Sequence, residues 1–202
     1  GLSNILDGGA GTDIVAERGD VDFILTDSSL ISSVFADASL IIESLVSIES
    51  AILRGGASDN TLDASAFSGD VRLVGLGGND LLIGGIGDDI LRGNDGDDTM
   101  IGNAGDDFVI AGKGNDGLAG GIGNDKLNGN KGDDTIFGGA GSDTLFGGAG
   151  ADILLGEDGD DTLNGNGGAD TVAGGDGNDS IADPVEEIDE AFELFVDWID
   201  QG

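Results

Sequence analysis

The stretch GNAGDDFVI AGKGNDGLA GGIGNDKLN GNKGDDTIF, Gly102–Phe137, decides the fold. It is one nine-residue unit written four times, with Gly fourth, Asp sixth and a large apolar residue eighth. Outward from it the same unit runs unbroken from Gly75 to Ala182, twelve copies with the consensus G-x-x-G-x-D-x-U-x, where U is apolar. The sixth position is Asp in every copy: Asp80, Asp89, Asp98, Asp107, Asp116, Asp125, Asp134, Asp143, Asp152, Asp161, Asp170 and Asp179. The eighth is Leu82, Leu91, Met100, Val109, Leu118, Leu127, Ile136, Leu145, Leu154, Leu163, Val172 and Ile181. Two positions held through twelve copies mark a structural period, not a composition bias.

Six Gly-rich residues turn the chain and three residues centred on U form a short strand. In such a strand the middle side chain points opposite to its neighbours, so position eight faces inward and positions seven and nine face out. Two units, eighteen residues, then complete one turn of a flattened coil with two parallel sheets. Loops eighteen residues apart stack at about 4.8 Å. The sixth-position carboxylates therefore form two columns, one beginning at Asp80 and the other at Asp89. Carboxylates at that spacing repel by about 1 kcal/mol per pair even in water, and no column of Lys or Arg runs beside them. A hard divalent cation between successive loops removes the conflict. Calcium takes six to eight oxygens in flexible geometry, whereas magnesium demands a tighter octahedron and sheds water reluctantly. With no His and no Cys in the chain, zinc, copper and haem lack their usual ligands.

The nonapeptide resembles that of the RTX (haemolysin-type calcium-binding) proteins. The resemblance implies an all-β fold, a right-handed parallel β-roll, with calcium as the cofactor. Six loops per side leave five gaps, hence about ten ions. The expected ligands are the twelve Asp residues, Asp13 of an isolated thirteenth copy, and backbone carbonyls of glycine-rich turns: Gly85, Gly87, Gly121, Gly123, Gly139, Gly141, Gly148 and Gly150. An interior residue such as Asp116 is expected to serve two ions.

The isolated copy is Gly8–Ala16, with Asp13 at the metal position and Val15 at the core position. Gly55–Asp63 is a degenerate copy with Asn60 in the Asp place and Leu62 in the core place. Strands are expected at Val21–Thr26, Ser39–Ile42, Leu45–Leu53 and Val71–Val74, so residues 1–74 are read as an irregular continuation of the coil, ahead of the regular roll at 75–182. Leu2–Asp7 echoes Ser58–Asp63, and the chain reads as a segment of a longer protein. At Asp183–Pro184 the character changes: Asp as N-cap, Pro at the first helical position and Glu186 completing a capping box. Ile188, Ala191, Phe192, Phe195, Trp198 and Ile199 then share one face, predicting a short amphipathic α-helix over 183–202 that caps the coil.

The chain carries 41 acidic against 7 basic residues, a formal charge of −34. That balance excludes phosphate-directed binding of nucleic acid and opposes binding to anionic membrane. No apolar run is long enough to span a bilayer as a helix. Without His or Cys there is no His-based triad, zinc peptidase motif or thiol nucleophile, and no enzyme is expected. The reading is a calcium-binding structural module of a large secreted or cell-surface bacterial protein, such as an adhesin, stalk or filament. The alternative is the export-and-folding domain of a secreted hydrolase. Outward residues Ile83, Ile101, Ala119, Phe137, Leu155 and Ala173 make one sheet face apolar enough for self-association, along the roll or end to end.

Overall fold

The computed structural model describes residues 5–7, 10, 13–19, 23–27, 29–32, 41–42, 44–46 and 48–182. Over residues 48–182 it is an all-β parallel solenoid, and the coil has about seven turns. The strands alternate between two sheets. One contains β10 (Leu81–Ile83), β12 (Thr99–Ala104), β14 (Gly117–Ile122), β16 (Thr135–Ala140), β18 (Ile153–Asp158) and β20 (Thr171–Asp176). The other contains β9 (Asp70–Gly77), β11 (Ile90–Asp95), β13 (Phe108–Lys113), β15 (Lys126–Lys131), β17 (Thr144–Ala149), β19 (Thr162–Gly167) and β21 (Ser180–Ile181). Each strand pairs in parallel with the strand two units on, as in Leu118↔Ile136 and Leu127↔Leu145. The helix expected over 183–202 lies outside the described residues.

The core is one residue deep, as the period requires. Leu82, Leu91, Met100, Val109, Leu118, Leu127, Ile136, Leu145, Leu154 and Leu163 are all buried between the sheets, and only Ile181 at the end is half-exposed. Each such side chain stabilises the coil by about 1.5–3 kcal/mol, a small amount per eighteen-residue turn once backbone ordering is counted. On the outer face Phe137 and Phe146 are exposed, whereas Leu155 is half-buried and Ala173 is buried.

Before Gly75 the coil continues with longer turns. β7 (Ser50–Arg54) and β8 (Thr61–Ala66) pair in parallel with β9 and β10, in register Leu53↔Leu73 and Leu62↔Leu82. The expected strand Leu45–Leu53 is two: β6 (Ser44–Val46), which pairs with β1 (Ile5–Asp7), and β7 in the roll. β2 (Ile14–Arg18) joins β7, and β3 (Phe23–Thr26) joins β8, both in parallel. Beyond β3 the sheet turns antiparallel through β4 (Ser29–Ser32) and β5 (Ile41–Ile42). This departs from the expected continuation of the coil. Where the nonapeptide ends, nothing imposes the eighteen-residue return, and antiparallel pairing becomes available.

The turns tolerate little at position four. Gly123 has φ +140°, and a Cβ there would fall on the carbonyl of Gly105 in the preceding turn. Position two also takes the left-handed region, held by Gly or Asn in most copies but by Leu76 (φ 89°) and Glu157 (φ 76°) in two. Those two each carry about 1–2 kcal/mol of strain. Gly117, in contrast, opens onto space. Gly123→Ala is therefore expected to lose about 2 kcal/mol or more, from left-handed strain and from prising two turns apart. Gly117→Ala is expected to be neutral or to gain about 0.5 kcal/mol. Urea midpoints of both variants in saturating calcium check this; equal destabilisation would contradict the turn geometry.

Candidate calcium-binding loops

The sixth-position Asp stands at the point where a loop enters its strand. Its side chain reaches back one turn: the N–H of Asp80 donates to Oδ1 of Asp98 at 2.8 Å, and that of Asp98 to Oδ1 of Asp116 at 2.7 Å. On the other side the N–H of Asp107 donates to Asp125 at 2.7 Å and that of Asp125 to Asp143 at 2.8 Å. The pattern continues to Asp170 and Asp179, which accept from Asp152 and Asp161. Each carboxylate thus replaces a ladder partner that the turn would otherwise deny the backbone.

The second oxygen is different. Oδ2 of Asp98, Asp107, Asp116, Asp125, Asp134, Asp143, Asp152, Asp161 and Asp170 is buried and accepts no hydrogen bond. Asp98 to Asp161 are each no more than 3% exposed. A buried anionic oxygen with no donor is costly, and twice a column of them more so. Beside the Oδ2 of Asp98, Asp107, Asp125, Asp134, Asp143, Asp152 and Asp161 lies a carbonyl from the next turn. A Cβ on Gly129 would fall on Oδ2 of Asp134 and lie 2.7 Å from the carbonyl oxygen of Gly147; one on Gly138 would lie 2.5 Å from Oδ2 of Asp143 and 2.6 Å from the oxygen of Gly156. The same pairing joins Asp107 with Gly120, Asp125 with Gly138 and Asp161 with Gly174. Glycine at position one leaves a cradle between turns, walled by a carboxylate and a carbonyl oxygen. That donor set, all oxygen and with one anion per gap side, fits a calcium ion.

Several expectations need adjusting to this geometry. The carbonyls found beside the carboxylates belong to position one, which the expected set at positions two and four did not include. Gly121, Gly123, Gly139, Gly141, Gly148 and Gly150 adopt positive φ instead, and the carbonyls of Gly123, Gly141 and Gly150 point at the next turn's backbone. Gly85 and Gly87 stack on residues 64–70 and have no positive φ. Asp98 and the position-six Asp residues from Asp107 to Asp170 each have one oxygen, not two, left after the hydrogen bond. Asp89 has none left: Oδ1 accepts from Val71 at 2.8 Å and Oδ2 from Gly85 at 2.6 Å. Asp13 is not brought into the Asp89 column. Its strand pairs Ile14↔Ser50 and Ser50↔Asp70, which puts Asp13 in line with Gly69, two residues short of the column; its N–H donates to Glu49 at 2.7 Å.

Position five escaped the sequence reading as a functional column. Asn79, Asp97, Asn115 and Asp133 each accept the N–H of the residue eighteen further on, at 2.8–3.0 Å. Asp70, Asp88, Asp106 and Asn124 do the same on the opposite side. The signal was present as an excess of Asn and Asp at that place, next to the invariant Asp.

Burial shifts the carboxyl groups upward in the metal-free chain. It pushes Asp107 and Asp116 up to about 7, and Asp98, Asp134 and Asp143 to about 6; the accepted N–H pulls each back and neighbouring carboxylates push further up. Asp125, Asp152 and Asp161 are raised for the same first cause. A folded value above the unfolded 3.8 means that the fold holds more protons than the unfolded chain. Stability from these groups is then present at low pH and is lost as pH rises through about 6–7. In EDTA, β-structure measured by circular dichroism is expected to be greater at about pH 5 than at about pH 8, and in millimolar calcium the difference should vanish. A β signal in EDTA that grows with pH would contradict the burial of these carboxylates.

No curated protein matches the chain in a sequence comparison. A family model for the RTX calcium-binding nonapeptide repeat matches residues 3–16, 55–91, 68–100, 83–118, 119–154 and 146–181. The matched residues cover well over half the chain and coincide with the loops whose buried carboxylates face the position-one carbonyls. The protein belongs to the family of RTX calcium-binding nonapeptide repeats.

Proposed function

We propose that the chain is a calcium-binding structural module of a large secreted or cell-surface protein, folding and stiffening where extracellular calcium is available. The observation that carries this is the file of buried Oδ2 atoms without a donor, from Asp98 to Asp170. The position-six carboxylates Asp80, Asp98, Asp107, Asp116, Asp125, Asp134, Asp143, Asp152, Asp161, Asp170 and Asp179, with position-one carbonyls, would hold the ions. Five gaps on each side put the count at about ten, which would lower the formal charge from −34 to about −14. No enzymatic role is needed to account for any of these residues. The ions act within the regular roll, 75–182, and 1–74 adjoins it as a less regular extension.

Calcium binding only to the folded state adds RT ln(1 + [L]/Kd) per site, about 1.4 kcal/mol at ten times Kd. With a core one residue deep, several such contributions decide whether the roll forms. Circular dichroism is expected to show loss of β-structure when EDTA removes calcium near neutral pH, and recovery with calcium but not with equimolar magnesium. A spectrum unchanged after removal, verified by metal analysis, would refute the reading.

A further inference from the structure

The twelve repeats are not equivalent, and the difference lies in one peptide. In eleven of them the position-two residue has positive φ; Gly85 alone does not. Its N–H instead donates to Oδ2 of Asp89 at 2.6 Å. The degenerate copy before the repeats does the same, the N–H of Gly56 donating to Oδ1 of Asn60 at 2.6 Å, and Gly56 also lies outside the positive-φ set. An amide hydrogen aimed at the carboxylate occupies the side from which a cation would approach. Hydrogen bonds from the protein here do what a cation is expected to do in the other loops.

The same end of the coil is better packed and less charged. Ala51, Leu53, Leu62, Ala64, Phe67, Val71, Leu73 and Val74 are all buried within twenty-four residues; Val109 to Leu163 provides the same number, with Ala111, over fifty-five. Residues 48–92 carry three arginines (Arg54, Arg72 and Arg92) against seven acidic side chains, a net of −4; residues 93–182 carry three lysines against eighteen, a net of −15. Denser burial and weaker self-repulsion both favour folding without a ligand.

We propose that residues 50–92 form a calcium-independent starting coil, closed by the Gly56–Asn60 and Gly85–Asp89 hydrogen bonds, on which the calcium-dependent turns from Gly93 onward assemble. Asp89 is in this arrangement a structural acceptor and not a metal ligand, so the array holds one ion fewer than the count of gaps. The proposal rests on the calcium-dependent folding argued above. It gives the roll a fixed place to begin: the exposed upper edge of β9, β10 and β11 presents strand and N–H groups in register for the next turn, which removes the cost of forming a first turn from a disordered chain.

Hydrogen exchange read by mass spectrometry on the whole chain tests it. In EDTA at neutral pH, peptides from 50–92 are expected to exchange at least about tenfold more slowly than peptides from 108–182, and in millimolar calcium both should be protected. Fast exchange throughout in EDTA would overturn the starting coil while leaving calcium-dependent folding intact. Protection throughout in EDTA would overturn calcium-dependent folding itself, and the proposal with it. Equilibrium dialysis against calcium supplies the second arm. Asp107→Ala should bind at least one ion fewer than the wild type, whereas Asp89→Ala should bind the wild-type number and lose the protection of 50–92 in EDTA. Loss of an ion in Asp89→Ala overturns the assignment of Asp89.

Discussion

Everything regular in this molecule depends on a carboxylate that is taken out of water at each loop. The Asp at position six is needed by the backbone, because its Oδ1 accepts the N–H of the equivalent residue one turn earlier, as Asp116 does for Asp98 at 2.7 Å. Meeting that need buries the other oxygen without a donor. The hydrogen bond makes the coil possible and the orphaned oxygen makes it conditional. Replacing the column by Asn would keep an acceptor but add an N–H₂ group to a cradle of carbonyl oxygens, and would discard the charge that draws a cation in. The invariance of Asp follows from having to satisfy both demands with one side chain.

Glycine enters as the counterpart of that carboxylate. Position one lacks a Cβ because Oδ2 and a carbonyl from the next turn converge where a Cβ would be. Position four lacks one because the turn beneath is in the way. Ala111 is the one residue at position one that breaks the rule, and its methyl group is buried. It stands in the loop of Asp116, where its Cβ takes up space that glycine leaves open in the loops on either side.

Much of this was legible in the sequence because the period does the folding. Position eight alternates sheets and position six alternates sides, so the core residues and both carboxylate columns follow from counting by nine. What counting could not reach was orientation. Which carbonyl sits beside each Asp depends on the peptide planes within the turn, and position one differs from positions two and four only in that respect. Asp89 is identical in sequence context to its neighbours, yet residues 64–70 beneath it hold Gly85 out of the left-handed region and turn an N–H toward the carboxylate. Asp13 matches the motif perfectly but enters a five-residue strand whose pairing with Ser50–Arg54 sets a different alignment. Of the antiparallel strands after Thr26, Ile41–Ile42 falls within the expected strand Ser39–Ile42, but nothing in the sequence marked the change of pairing direction.

The two side-chain ladders run in opposite directions. Position six reaches back to the turn before it, while position five reaches forward to accept from the turn after it, as Asn79 does for Asp97 and Asp97 for Asn115. Adjacent residues therefore stitch each turn to both neighbours, and the coil has a chemical polarity like that of a strand of rope laid in one sense. A turn added at the growing edge brings position-six carboxylates to waiting amide hydrogens and amides to waiting position-five oxygens; at the opposite edge the two positions exchange these roles. The two ends of such a rod are never interchangeable, however closely the repeats between them resemble one another.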